Sequence, residues 1–89
     1  MKTTMEIIDA LNQILRANEP ERTEFIMSFQ KYILLDNEIE DEYLDEILRD
    51  LAIDMDYYEP NEERRKQSIS FYGDEELERR IKSTIAQLD

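Results

Sequence analysis

Cysteine, histidine and tryptophan are absent from this 89-residue chain, while glycine occurs once and proline twice. Without cysteine there is no disulfide framework. Without cysteine and histidine, the usual zinc ligands and Cys- or His-based nucleophilic machinery are missing as well. One glycine is too few for a meander of β-hairpins, whose tight turns call for residues that tolerate positive φ. No apolar run approaches the roughly 20 residues that span a bilayer. Glu6 and Asp9 also interrupt the run that a signal peptide would need. The chain is therefore expected to be soluble and cytoplasmic. Bases are scarce too: 11 Lys and Arg stand against 23 Asp and Glu, a net charge of −12. That balance disfavours direct contact with nucleic acid or an anionic membrane and favours a basic partner.

What is present is a set of strong helix formers, Glu, Leu, Ile, Arg and Lys, in periodic order. Residues 1–89 suffice for one domain and are too few for a second core. The fold class is all-α, a compact bundle of about four helices with one irregular segment before the last. The first helix spans residues 3–17. Thr3 and Glu6 form a T-x-x-E capping box, and Ile7, Ile8, Leu11, Ile14 and Leu15 share one face. Asn18-Glu19-Pro20 ends it. The second, residues 20–35, repeats the spacing with Phe25, Ile26, Phe29, Tyr32 and Ile33, and the short link implies an antiparallel pair. Asp36-Asn37 breaks the pattern. The third, residues 40–56, buries Tyr43, Leu44, Ile47, Leu48, Leu51, Ala52 and Met55 on one half of the wheel. Residues 61–72 are irregular. There Arg64, Arg65 and Lys66 are expected to pair with the acidic helix, and Phe71 and Tyr72 to pin the segment to the bundle. Gly73-Asp74 supplies a turn and an N-cap for a last helix over residues 75–88, with Leu77, Ile81, Ile85 and Leu88 inward. Met5, Met27 and Met55 read as core filler.

The charge is concentrated. Residues 36–63 hold thirteen carboxylates and one base, Arg49, so this stretch alone carries −12; the remaining 61 residues balance ten acids with ten bases. Glu42–Glu46 and Glu46–Asp50 are like-charge i, i+4 pairs, each destabilising a helix by a few tenths of a kcal/mol. A face that is merely solvated usually mixes signs; a face that binds a basic partner explains this arrangement. Ile53 projects from the middle of the acidic face, with Tyr57 one turn on. A Tyr anchor ringed by polar residues resembles an interface hot spot. The alternative is that residues 61–72 fold back over Ile53 and Tyr57 as a satellite core. Tyr58 suits the core as well as an interface. The candidate binding set is Glu42, Glu46, Asp50, Ile53, Asp54, Asp56, Tyr57, Tyr58 and Glu59.

Other chemistries fit poorly. Paired carboxylates can perform acid–base work, but these lie on a convex helical face without partner Lys or Ser groups. The run from Asp54 to Glu59 opens like an EF-hand loop, yet Glu59 stands where the invariant Gly belongs and Arg65 where the bidentate Glu belongs. Di-iron bundles require Glu-x-x-His pairs, and there is no His. The expectation is a non-enzymatic protein with no catalytic residues, no cofactor and no metal. It would be a monomer or weak dimer when free.

From Leu51-Ala52-x-Asp54-x-Asp56-Tyr57-Tyr58-Glu59-Pro60, through Arg64 or Arg65, to Ser70-Phe71-Tyr72-Gly73-Asp74-Glu75 and a short terminal helix, the chain resembles the CdiI-type immunity proteins of bacterial contact-dependent growth inhibition systems. The resemblance covers residues 51–88. The Tyr pair with Pro and the Tyr-Gly-Asp cap are its specific parts; the first half matches only in being helical and acidic. It implies an immunity protein that binds and neutralises the C-terminal toxin domain of a cognate contact-delivered effector, with a nuclease as the expected toxin. Size, acidity and the tyrosine corner are also similar to the immunity proteins of DNase colicins, but the spacing differs (Tyr57-Tyr58-Glu59-Pro60 here), which marks a shared physical solution rather than kinship. A second class uses the same surface differently, as an acidic nucleic-acid mimic that docks on a DNA- or RNA-binding host protein. A helical enzyme subunit completed by a partner is a third.

Overall fold

The computed structural model describes residues 3–36 and 39–88. Five helices follow in order: α1 Thr4–Arg16, α2 Glu21–Leu34, α3 Glu42–Asp54, α4 Glu62–Arg65 and α5 Asp74–Leu88, with a 3-10 turn Met55–Tyr57 directly after α3. Among the described residues there is no strand, only one isolated parallel bridge between Tyr58 and Tyr72. The all-α bundle is as expected.

Local chemistry sets most helix starts. Thr3 caps α1 in a full capping box: the Glu6 amide donates to Thr3 Oγ1 at 3.2 Å and the Thr3 amide to Glu6 Oε1 at 3.4 Å. Pro20 precedes α2 without a side-chain cap of its own. The Glu19 carboxylate substitutes, accepting from the Thr23 amide at 2.7 Å. Asp41 Oδ1 accepts from the amides of Tyr43 and Leu44 at 2.9 and 3.1 Å, so α3 begins at Glu42, two residues later than expected. Its far end tightens into the 3-10 turn before residue 56. Within the segment read as irregular, Asn61 Oδ1 accepts from the amides of Glu63 and Arg64 and starts the single-turn α4. α5 opens one residue early, with the Leu77 amide donating to the Gly73 carbonyl at 3.1 Å. The Asp74 carboxylate is engaged elsewhere and does not act as the cap. Asn37, named as part of the break after α2, lies outside the described residues.

The four longer helices pack in a ring: α1 on α2, α2 on α3, α3 on α5, and α5 back on α1. Arg22 near the start of α2 reaches the Ile14 and Leu15 carbonyls at the end of α1. Phe29 and Tyr32, later in α2, share a cleft with Ile7 and Ala10 from α1, so this pair is antiparallel. The core gathers Ile7, Leu11, Ile14, Ile26, Phe29, Ile33, Leu48, Leu51, Ala52, Met55, Tyr72, Leu77 and Ile81. Leu15, Tyr32, Leu44, Ile85 and Leu88 are half-buried against it.

Several packing expectations are corrected. Met5 and Met27 are exposed, and only Met55 fills the core. Met5 lies roughly 160° from Ile7 on the α1 wheel, and Met27 roughly 120° from Ile33 on that of α2, so neither can turn inward. Phe25 and Tyr43 sit at the edges of their apolar arcs and face solvent. Arg65 and Lys66 turn away from the acidic helix: Arg65 Nη1 donates to the Glu59 carbonyl at 2.8 Å, and Lys66 pairs with Glu63. Tyr72 is buried and fixes the segment as expected, with Phe71 half-buried beside it. Among the described residues no helix is long and apolar enough to cross a membrane.

Candidate protein-binding surface

Two polar networks hold the corner at the end of α3, and both depend on residues distant in sequence. The first starts at Arg22, only 6% exposed. Its Nε donates to the Ile14 carbonyl at 3.0 Å and its Nη2 to that of Leu15 at 2.9 Å, satisfying acceptors at the C-terminus of α1. Its Nη1 donates to Asp74 Oδ1 at 2.9 Å, and the same oxygen accepts from the Tyr58 hydroxyl at 2.6 Å. The Tyr58 hydrogen bond, aided by Arg22, holds Asp74 below the usual carboxylate range. Burial, with Asp74 adding to it, pushes the Tyr58 phenol up. Burial works against the Arg22 charge, but Asp74 and Tyr58 more than offset it and the guanidinium pKa rises.

The second network centres on Tyr72 and Arg80. The Tyr72 hydroxyl donates to the Asp54 carbonyl at 3.0 Å and to its carboxylate at 3.3 Å. The Arg80 guanidinium lies over the Tyr72 ring, 4.4 Å from its centroid, and pairs with Asp54 and Glu76. Hydrogen bonding to Asp54 raises the Arg80 pKa, and burial raises that of Tyr72. Hydrogen bonds from Arg79 and Arg80 lower Glu76 to about 2. The Tyr72 amide also donates to the Tyr57 carbonyl at 3.0 Å, and the Glu59 amide to the Tyr72 carbonyl at 2.8 Å. Residues 57–59 are thus clamped from beneath. A Cβ on Gly73 would come within 2.8 Å of Arg65 Nη1 and push that guanidinium from the Glu59 carbonyl.

Against this frame the nine candidate residues separate. Glu42, Glu46 and Asp50 are exposed, and among the described residues no base forms an ion pair with them. Ile53 stays 53% exposed and Tyr57 45%, so residues 61–72 do not fold over them and the satellite-core alternative falls. Asp56 is exposed and accepts from Gln30 Nε2 at 2.8 Å. The other three are half-buried and engaged within the chain. Asp54 holds Arg80 and Tyr72, Tyr58 holds Asp74, and the Glu59 carboxylate accepts from the Asn61 amide at 3.1 Å.

Tyr43 joins the exposed set. At 67% exposure it continues the edge formed by Glu46, Asp50, Ile53 and Tyr57. The signal was in the spacing, since Tyr43 lies at the margin of the apolar arc and only 60° from Glu46. Arg49 bounds this edge on one side, paired with Asp45 at 3.1 Å. On the other side Asp50 stands at the rim of an open cleft of about 400 Å³ whose far wall carries Arg79 and Arg80. The acidic surface is therefore a strip one helix wide. Comparison with protein-family models, with curated proteins and with solved structures gives no match.

Proposed function

We propose that this chain is an immunity protein. It binds the basic toxin domain of a cognate contact-delivered effector on the outer edge of α3 and blocks access to substrate. The observation that carries this reading is the strip itself: exposed Glu42, Glu46 and Asp50, without an ion pair among the described residues, next to the uncovered Ile53 and Tyr57. Unpaired like charges destabilise a helix, whereas a partner of opposite sign turns them to use. A nuclease toxin must present cations to phosphates, and a negative strip would steer such a surface into contact. Close interfacial charge pairs carry coupling energies of about 1.5–7 kcal/mol. Asp56 adds charge at the end of the strip, while Asp54, Tyr58 and Glu59 act by holding the corner. The chain acts by occupation, in the cytoplasm of the producing cell, and no residue does chemistry.

The test uses tagged chain as bait in a lysate of the cells that make it, at low and high salt, with mass-spectrometric identification. A basic toxin domain recovered at low salt, and lost with Glu42→Lys, Glu46→Lys and Asp50→Lys together, supports the reading. Undiminished capture by the triple variant refutes the acidic strip. A second reading draws on the row Glu42, Glu46 and Asp50, whose side chains repeat every turn at roughly 5–6 Å and resemble a line of phosphates. It makes the chain a nucleic-acid mimic, and recovery of a nucleic-acid-binding host protein would favour it.

A further inference from the structure

We infer that the strip on α3 receives a single basic helix of the partner, packed lengthwise along it, with Lys or Arg in its middle turns and apolar residues at both ends. This rests on the reading above that a basic protein binds here. Tyr43, Glu46, Asp50, Ile53 and Tyr57 follow one another at steps of three, four, three and four residues. From Tyr43 to Ile53, on α3, that is the spacing of a seam between two helices, because it keeps successive side chains on one line of the surface, and Tyr57 follows in the 3-10 turn that continues the helix. From Tyr43 to Ile53 the line runs about 15 Å along α3, close to three turns, and the 3-10 turn carries Tyr57 about 7 Å further. Its composition is ordered: Tyr43 at one end, Glu46 and Asp50 in the middle, Ile53 and Tyr57 at the other end.

The flanks set the width. Arg49 stands along one side and Arg79 and Arg80 beyond the cleft on the other. Each of these cations is already paired, Arg49 with Asp45, Arg79 with Glu76 and Arg80 with Asp54, so the unmatched negative charge is confined to a line one helix wide and a broad basic surface would find counter-charges only along it. The receiving backbone is already ordered. Asp41 caps the start of α3, and the Tyr57 carbonyl is held by the Tyr72 amide, so little conformational freedom is lost on docking. The anchors also have no competing cover, with Tyr43 at 67% and Ile53 at 53% exposure.

The experiment places the photo-cross-linker p-benzoylphenylalanine at position 43, 57 or 69 of the full chain, in lysate at low salt, and sequences the cross-linked peptides. Position 69 is the control, since Ile69 is fully exposed but lies off the strip. Positions 43 and 57 are expected to label one partner at two sites about fourteen residues apart within a single Lys/Arg-rich helix, and position 69 to leave it unlabelled. Ile53→Ala should weaken binding about tenfold, and Glu46→Lys with Asp50→Lys should slow association at least about tenfold. Labels on distant segments, on a loop or strand, or equally from position 69 overturn the inference. A toxin labelled in such a scattered way leaves the immunity reading standing. A basic helix labelled in a protein that is no toxin keeps this inference and removes the immunity reading. No partner labelled from 43 or 57 overturns both.

Discussion

The N-terminal half of α5 and the outer edge of α3 are both rich in acids, and the bundle treats them in opposite ways. In α5, Asp74 meets Arg22 and Tyr58, and Glu76 meets Arg79 and Arg80. These acids also sit in the first turn, where the helix dipole favours them. On α3, Glu42, Glu46 and Asp50 stand one turn from one another, and the base within a turn of them, Arg49, is paired with Asp45. Acids of the first kind contribute to stability. Those of the second kind detract from it and remain available to something else. Asp54, although part of the acidic stretch by sequence, belongs to the first kind because Arg80 reaches it.

The contrast can be tested by breaking each side. The largest effect is expected at Arg22→Met, which removes the guanidinium donor from the Ile14 and Leu15 carbonyls and the cation from Asp74, leaving Asp74 with the Tyr58 hydroxyl alone. The loss should be about 2–3 kcal/mol in urea denaturation. Tyr58→Phe removes one hydrogen bond to a partly exposed carboxylate and should lose about 1 kcal/mol by the same measurement. Glu46→Lys should have the opposite sign, stabilising by about 0.3 kcal/mol, because two repulsive i, i+4 pairs become attractive while one like-charge i, i+3 contact with Arg49 is created; an unchanged or lower midpoint would show that the strip is already neutralised. The acid limb of stability gives a smaller effect. Asp74 and Glu76 are depressed in the folded state, so their contribution is present above the ordinary carboxylate value and is lost as pH falls towards about 2 for Glu76. Glu76→Gln should flatten melting temperature against pH in that window. Smallest of all, Ile53→Ala should change stability by less than about 0.5 kcal/mol, since the side chain is half in water.

Much of the architecture was legible because its signals are short-range. The Thr3–Glu6 box, the stop before Pro20 and the 3.6-residue periods each involve neighbours three or four apart. α4 carried the same kind of signal, an Asn61 cap with acids before bases, but its single turn was hidden between a proline and a charge run. Within the candidate surface, the exposure of Ile53 followed from its place opposite the apolar arc. Arg22 gave no local hint of burial. One arginine among acids on the first turn of a helix reads as surface, and only the end of α1 and Asp74 give its charge a place inside.

The sequence alone therefore determined the four longer helices, most of their inward faces and the concentration of negative charge on one of them, because backbone capping and hydrophobic period act over a single turn. Tertiary structure decided which of those charges are free. Arg22 and Asp74 are 52 residues apart, and Arg80 and Asp54 are 26 apart. A long side chain reaches whatever acid the packing brings near it, so Asp50 and Asp54, one turn apart on the same helix, end as an open charge and a closed one.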